Sequence, residues 1–437
     1  MKRVVFHSYY FPPTGGAGAQ RPLKLVRYLG DHGYRATVVT APGGSADRWS
    51  PTDTTLDGEV PDSVEVRRVP GPEPVQSSGW RVRGERWLRV RSPWDRWWVS
   101  GSINAATRPA SDVDLVYVWM QPYNSARAGA ELAVRLGRPW VADLGDPWAL
   151  DEMRIYPSAL HRALDAREMR RLLSTAAAIV MSTPEAKSRL LSAFPEFGGR
   201  LVVDIPNGYD ASDFAIPMSP RSDRAFRIVH TGYLHTALGE QVRRGSPRRL
   251  LGGSAPGLDI LTRSHVFLID ALERLFARDA RARDEVELHL AGVLDDADRR
   301  IASRSDAVRL LGYVTHAESI DLIRTADLLF LPMHDLPVGT RATIVPGKTY
   351  EYLASGTPIL AAVPEGDARD ILAAAGNAKI TAPNDVTAIA NALEAELQRF
   401  RSRIAVPTPR RDVVERFEYR ALAKRLAGVF DEALERQ

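Results

Sequence analysis

The stretch Ile344-Val345-Pro346-Gly347-Lys348-Thr349-Tyr350-Glu351-Tyr352-Leu353-Ala354-Ser355-Gly356-Thr357-Pro358-Ile359-Leu360 reads as loop, helix start, short helix, glycine stop and strand. A helix feeding directly into a β-rich run is one half of a βαβ unit, and the same alternation extends in both directions. Around it, strands are expected at Arg227–Thr231, Val286–Ala291, Val308–Leu311, Leu328–Leu331, Pro358–Ala361 and Ala378–Ile380, with helices such as Val266–Ala277 and Glu318–Ala326 between them. The earlier half repeats the pattern. Strands are expected there at Val4–Ser8, Ala36–Thr40, Val64–Val69, Leu115–Trp119, Trp140–Asp143, Ala178–Met181 and Leu201–Ile205. Amphipathic stretches at Arg21–His32, Ala126–Leu136 and Ala163–Ser174 separate them. Such alternation implies mainly parallel sheets with helices on both faces. A chain of 437 residues exceeds what one core usually serves. The expected fold is therefore α/β, two Rossmann-like doubly wound domains.

The first domain is expected over residues 1–215 and the second over 225–410. The turn signal Pro206-Asn207-Gly208 marks the join, with Ser219–Arg224 as polar linker. Thr236–Leu261 is rich in Gly, Arg and Ser with little periodicity, so residues 236–262 are expected to form a mobile loop. The last helix, about Val413–Glu435 within residues 413–437, is a candidate to pack back on the first domain.

The absence of cysteine excludes disulfides, thiolate metal sites and a cysteine nucleophile. No apolar run approaches the roughly 18 residues of a bilayer-spanning helix, and the amino terminus has no signal-peptide pattern, so a cytoplasmic protein is expected. Net charge is only +4, which gives weight to the arginine-rich stretch Arg81–Arg96. Trp80, Trp87, Trp94, Trp97 and Trp98 are interleaved with its arginines. One reading is an amphipathic helix packing tryptophans into the core. The other is a surface for an anionic acceptor, or for peripheral contact with the inner face of a membrane. No nucleic-acid recognition module accompanies the charge, so nucleic acid is not an expected partner.

Several segments could carry chemistry. After the first strand come Gly15, Gly16 and Gly18, and a helix opening near Arg21; such a turn brings backbone N–H groups to a phosphate, or is simply a tight turn. Asp143 and Asp146 sit at the carboxyl end of a buried strand, where ligands bind in open α/β sheets. A carboxylate there could orient or deprotonate an acceptor, or cap a helix. In the second half, Pro346 and the free N–H groups of Gly347 and Lys348 make an anion site, and Lys348 adds a full charge. Glu351 beside it could accept both hydroxyls of a ribose. Asp296-Ala297-Asp298 is either a metal-binding Asp-x-Asp pair or a charged helix start.

Together these segments resemble the retaining GT-B glycosyltransferases of family four. The resemblance runs through Tyr10-Phe11-Pro12-Pro13 with Gly15-Gly16, Asp143-x-x-Asp146-Pro147-Trp148, Ile205-Pro206-Asn207-Gly208-Tyr209-Asp210 and His230-Thr231-Gly232. It continues in Leu311-Gly312-Tyr313-Val314 and Pro346-x-Lys348-x-x-Glu351-Tyr352-Leu353-Ala354-x-Gly356-x-Pro358-Ile359-Leu360. It implies two domains facing a cleft, and a sugar moved from a nucleotide diphosphate donor (a UDP- or GDP-sugar) without metal or other cofactor. The acceptor is left open between a cell-surface glycan, a lipid-linked precursor and a small natural product.

By this resemblance Gly232, Tyr313 and Val314 belong to the donor site along with Thr231, Glu351 holds the ribose, and the N–H groups around Gly347 and Lys348 hold the diphosphate. Arg263, in a stretch that matches the family's phosphate-binding arginine, joins Lys348 as a catalytic candidate. Two departures stand out. Thr343 occupies the place of a second glutamate, and the usual lysine shortly after the arginine is missing, with Lys348 a candidate to replace its charge from another direction; Gly145 also stands where an arginine is common, which would open space or remove a charge. Alternatives on the same fold are a nucleotide-sugar 2-epimerase and a non-catalytic nucleotide-sugar-binding partner protein.

Overall fold

The computed structural model describes residues 1–43, 51–75, 79–108, 112–245 and 250–436. The chain divides into two compact units. One comprises Met1–Asn207, Leu251–Ser254 and Tyr419–Gln437, the other Gly208–Leu250 and Ala255–Glu418.

The first unit is built on seven parallel strands: β1 (Lys2–His7), β2 (Tyr34–Thr40), β3 (Glu65–Arg68), β4 (Leu115–Trp119), β5 (Trp140–Leu144), β6 (Ala178–Met181) and β7 (Leu201–Asp204), in the order β3-β2-β1-β4-β5-β6-β7. Its principal helices are α1 (Ala17–Leu29), α2 (Gly79–Leu88), α3 (Pro93–Thr107), α4 (Ser125–Leu136) and α5 (Ala159–Leu173). Every residue of β4, β5 and β6 is buried, as expected where helices cover both faces of a parallel sheet. The side-chain period of two sorts them: Leu115, Tyr117 and Trp119 join one core with α1 and the helix Tyr419–Glu435. Val116 and Val118 join the opposite core with α4 and α5.

The second unit holds six parallel strands: β8 (Phe226–Thr231), β9 (Val286–Ala291), β10 (Val308–Gly312), β11 (Leu328–Pro332), β12 (Ile359–Ala362) and β13 (Ala378–Thr381), in the order β10-β9-β8-β11-β12-β13. The helices Val266–Arg278 and Val386–Arg401 cover one face with Ile228, Leu288 and Phe330. The helix Lys348–Ser355 lies on the other, with Val229, Leu329 and Ile359. In each sheet the winding direction reverses beside the unit's first strand, between β1 and β4 and between β8 and β11. Ligands in open α/β sheets bind outside the strand ends at such switch points.

All thirteen expected strands are present, with ends shifted by at most two residues. One expectation of the fold needs correction. Residues 236–262 are not a structureless loop: they contain the helix Thr236–Arg243 and a short 3₁₀ turn, Ile260–Thr262. Gly239 allows that packing, since a Cβ there would stand 2.4 Å from the Leu261 Cα. Leu251 and Gly253 accept backbone hydrogen bonds from Ala159 and Tyr156 at 2.8 and 2.7 Å, while residues 246–249 of that stretch lie outside those described. Of the two readings of Asp296-Ala297-Asp298, the charged helix start is the one seen: Asp295 is an N-cap, and Asp298 closes its capping box from a fully buried position.

Candidate functional site

The second unit gathers its charged candidates at the switch point. β8 delivers His230, Thr231 and Gly232 to its carboxyl end, and the helix Lys348–Ser355 points its amino terminus there. Among the described residues, the backbone N–H groups of Gly347 and Lys348 have no acceptor, as helix starts leave them. The Lys348 ammonium donates to Nε2 of buried His230 at 3.2 Å, and His230 Nδ1–H donates to the Phe330 carbonyl at 3.0 Å. Burial, reinforced by Lys348, drives His230 well below its ordinary pKa, so a neutral imidazole positions the lysine. Burial and then the positive Arg263 push Lys348 down to about 7, against the pull of Glu351. Arg263 and Glu351 thus both act on the Lys348 ammonium, in opposite directions.

The remaining donor-side candidates shape that site more than they donate to it. Thr231 N–H is taken by Tyr352 Oη at 2.9 Å, and Gly232 N–H by the Ala291 carbonyl at 2.7 Å. Gly232 has φ +94°, and a Cβ there would lie 3.0 Å from Lys348 Nζ. Pro346 is buried beneath the helix start, and its carbonyl accepts Thr349 N–H. Tyr313 and Val314 follow β10, the edge strand, with Tyr313 exposed. Thr343 is fully buried, in a space where a glutamate would carry its charge into the interior.

In the first unit the two aspartates separate. Asp143 is fully buried, and its Oδ2 accepts from Arg21 Nη2 at 2.8 Å, Arg21 Nε at 3.1 Å and Tyr117 Oη at 2.5 Å. Arg21 also donates to the Pro206 and Ile205 carbonyls. Burial raises the Asp143 carboxyl, and Arg21 and Tyr117 oppose it. This arrangement assigns Asp143 to an internal strut, a correction to its reading as an acceptor-activating base. Asp146 is partly exposed, accepts from Gln121 Nε2 at 3.2 Å, and does not cap the turn Trp148–Leu150, whose N-cap is Pro147.

Gly145 opens no space, which corrects the sequence reading: a Cβ would lie 2.4 Å from the Trp119 ring, so that indole fills the place of an arginine. Gly15 is likewise committed, its N–H donating to the Pro51 carbonyl at 2.7 Å. Gly16, at φ +81°, lets α1 begin at Ala17 rather than near Arg21, and Gly18 is held small by the Tyr10 ring 2.9 Å from a Cβ.

Sequence reading missed the loop beyond Asp146. Trp148 adopts φ +50°, unusual outside glycine, and stacks on Tyr123 at 5.3 Å. Asp151 is raised to about 7 by burial and by Asp146 and Glu152. Asp-Pro-Trp and the following acidic pair were visible, but only folding brings Asp151 into a poorly solvated setting beside Asp146.

Residues 15–208 match a family model described as glycosyl transferase 4-like domain, and residues 261–399 match glycosyl transferases group 1. No relative among curated proteins matches the chain. Among solved structures, Anabaena HepE in complex with UDP and glucose is 17% identical, with a TM-score of 0.59 over 99% of this chain and 100% of that one. The trehalose 6-phosphate synthase of Burkholderia multivorans is 13% identical, with a TM-score of 0.59 over 99% and 96%. A putative UDP-N-acetylglucosamine 2-epimerase from Listeria monocytogenes is 13% identical, with a TM-score of 0.56 over 100% and 98%. No helix among the described residues is long and apolar enough to cross a membrane. Two matched domains in family order, on two parallel sheets of seven and six strands, make the chain a glycosyltransferase of family four with the GT-B fold.

Proposed function

We propose that the chain moves a sugar from a nucleoside diphosphate donor to an acceptor taken up by the first unit, with retention of configuration and without a metal ion. The observation that carries this reading is the cationic helix start at Lys348, where a lysine seated on a neutral histidine, and subject to the charge of Arg263, stands beside two unclaimed N–H groups. The bond between the anomeric carbon and the β-phosphate oxygen breaks, and charge accumulates on the departing diphosphate. Preorganised donors aimed at that charge lower the barrier. The acceptor oxygen forms the new bond on the same face, and its proton passes to the leaving phosphate, so no protein nucleophile is needed. Glu351, one turn into the helix, accepts from the ribose hydroxyls. HepE binds UDP and UDP-glucose, which makes UDP-glucose the first donor to test.

The test is release of UDP from UDP-glucose, or GDP from GDP-mannose, by the wild-type chain and by Arg263→Ala and Lys348→Ala. Each variant should lose roughly 10²–10³-fold in rate, and wild-type turnover in EDTA should equal that in magnesium. Near wild-type rates in both variants would defeat the assignment. Formation of an epimeric sugar from donor alone would replace transfer by epimerisation.

A further inference from the structure

The first unit contains a cavity of about 1370 Å³ between α2, α3, α4 and α5, lined by eight arginines and five carboxylates. Its charge is unevenly neutralised. Arg89 and Arg127 share one carboxylate, Glu168. Arg91 and Arg171 have no carboxylate partner among the described residues. Burial and then the positive fields of Arg91, Arg171 and Arg89 pull Arg127 down to about 10. Two guanidinium groups sharing Glu168 and two more without a carboxylate, offset in part by Asp95 near Arg127, leave an excess of positive charge that a multiply charged oxyanion would relieve, through paired N–H···O bonds. The lining also includes the apolar Val82, Val90, Ile103 and Val134.

The helix over this cavity, α2, buries none of its residues. Its Trp80 and Leu88 are 81% and 76% exposed; Trp87, 48% exposed, meets His161 edge to face at 4.9 Å, and Val90 just beyond the helix is 54% exposed. The expected core packing of the tryptophans holds only for α3, where Trp94 and Trp98 are buried. An arginine cluster beside an exposed apolar helix favours a ligand with an anionic head and an apolar body.

We infer that this cavity binds the phosphate group of a phosphorylated amphiphile, with Arg91, Arg127 and Arg171 on the phosphate and α2 against its apolar chain. Within the proposed function this names the acceptor class, and it rests on that reading only for the ligand's role as acceptor. The test is equilibrium binding to the full chain, followed by tryptophan fluorescence and calorimetry, using farnesyl phosphate, farnesol, inorganic phosphate and phosphatidylglycerol vesicles. Farnesyl phosphate should bind at least ten-fold more tightly than farnesol or inorganic phosphate. The double variant Arg91→Gln/Arg171→Gln should weaken it at least ten-fold while leaving UDP affinity unchanged.

Equal binding by the double variant, or equal affinity for farnesol, overturns the proposal. Inorganic phosphate binding as tightly as farnesyl phosphate reduces the cavity to a free-phosphate site and also overturns it, as does binding confined to vesicles, which would mark a bilayer contact instead. A chain that binds farnesyl phosphate but not UDP would uphold the cavity and defeat the donor assignment.

Discussion

Burial disfavours the charged form of both Lys348 and Asp143, lowering the lysine and raising the carboxyl. Lys348 titrates near 7 because burial and Arg263 disfavour its ammonium form. A bound diphosphate restores that form, so binding takes up a proton wherever the free lysine is neutral. UDP affinity should therefore be level below pH 7 and fall above it by up to about ten-fold per pH unit. Calorimetry across roughly pH 6–9, around that pKa, should show this slope and its loss in Lys348→Met; an identical slope in the variant would place the titration elsewhere. Arg21 and Tyr117 hold the Asp143 carboxyl and oppose the rise that burial imposes on it. Removing one partner of a buried pair strands the other, so Asp143→Ala should cost about 3–5 kcal/mol in denaturant unfolding. A loss under about 1 kcal/mol, the range of exposed pairs, would show that Arg21 regains solvent.

At the scale of elements, the loop after β8 and the helix Lys348–Ser355 form one device, because Gly232 leaves just enough room for the lysine tip. Gly232→Ala forces a left-handed backbone on alanine, worth roughly 1–2 kcal/mol, and presses on Nζ. The expected outcome is UDP binding weakened by about ten-fold or more, beyond the small fall in Tm that this strain explains. Binding that survives intact would detach Lys348 from the donor. The alternation of strands and helices was legible because fully buried strands and amphipathic helices carry opposed periodicities. The Gly239 contact under Leu261 was not, since it depends on an approach of segments that no local pattern encodes.

For the molecule as a whole, the chain's end completes its beginning. Tyr419, Leu422, Leu426 and Phe430 enter the core of Val4, Phe6, Leu25 and Tyr117. Each such side chain contributes about 1.5–3 kcal/mol on burial, against a total stability of about 5–15 kcal/mol. Truncation after Glu418 should leave the first unit unable to fold, read as loss of cooperative unfolding by circular dichroism. A truncated chain with an unchanged melting transition would show that α1 and the sheet suffice.

By itself the sequence determined the two parallel sheets, their helices and the Lys348–Glu351 helix start, because periodicity, glycine stops and proline act over a few residues and survive without a partner. Tertiary structure alone decided that Asp143 is a strut and Asp146 is not, that Trp119 fills the space beside Gly145, and that Arg91, Arg127 and Arg171 crowd one another. Those outcomes depend on solvent exclusion and on charges brought together from distant segments, and neither quantity exists until the chain has folded.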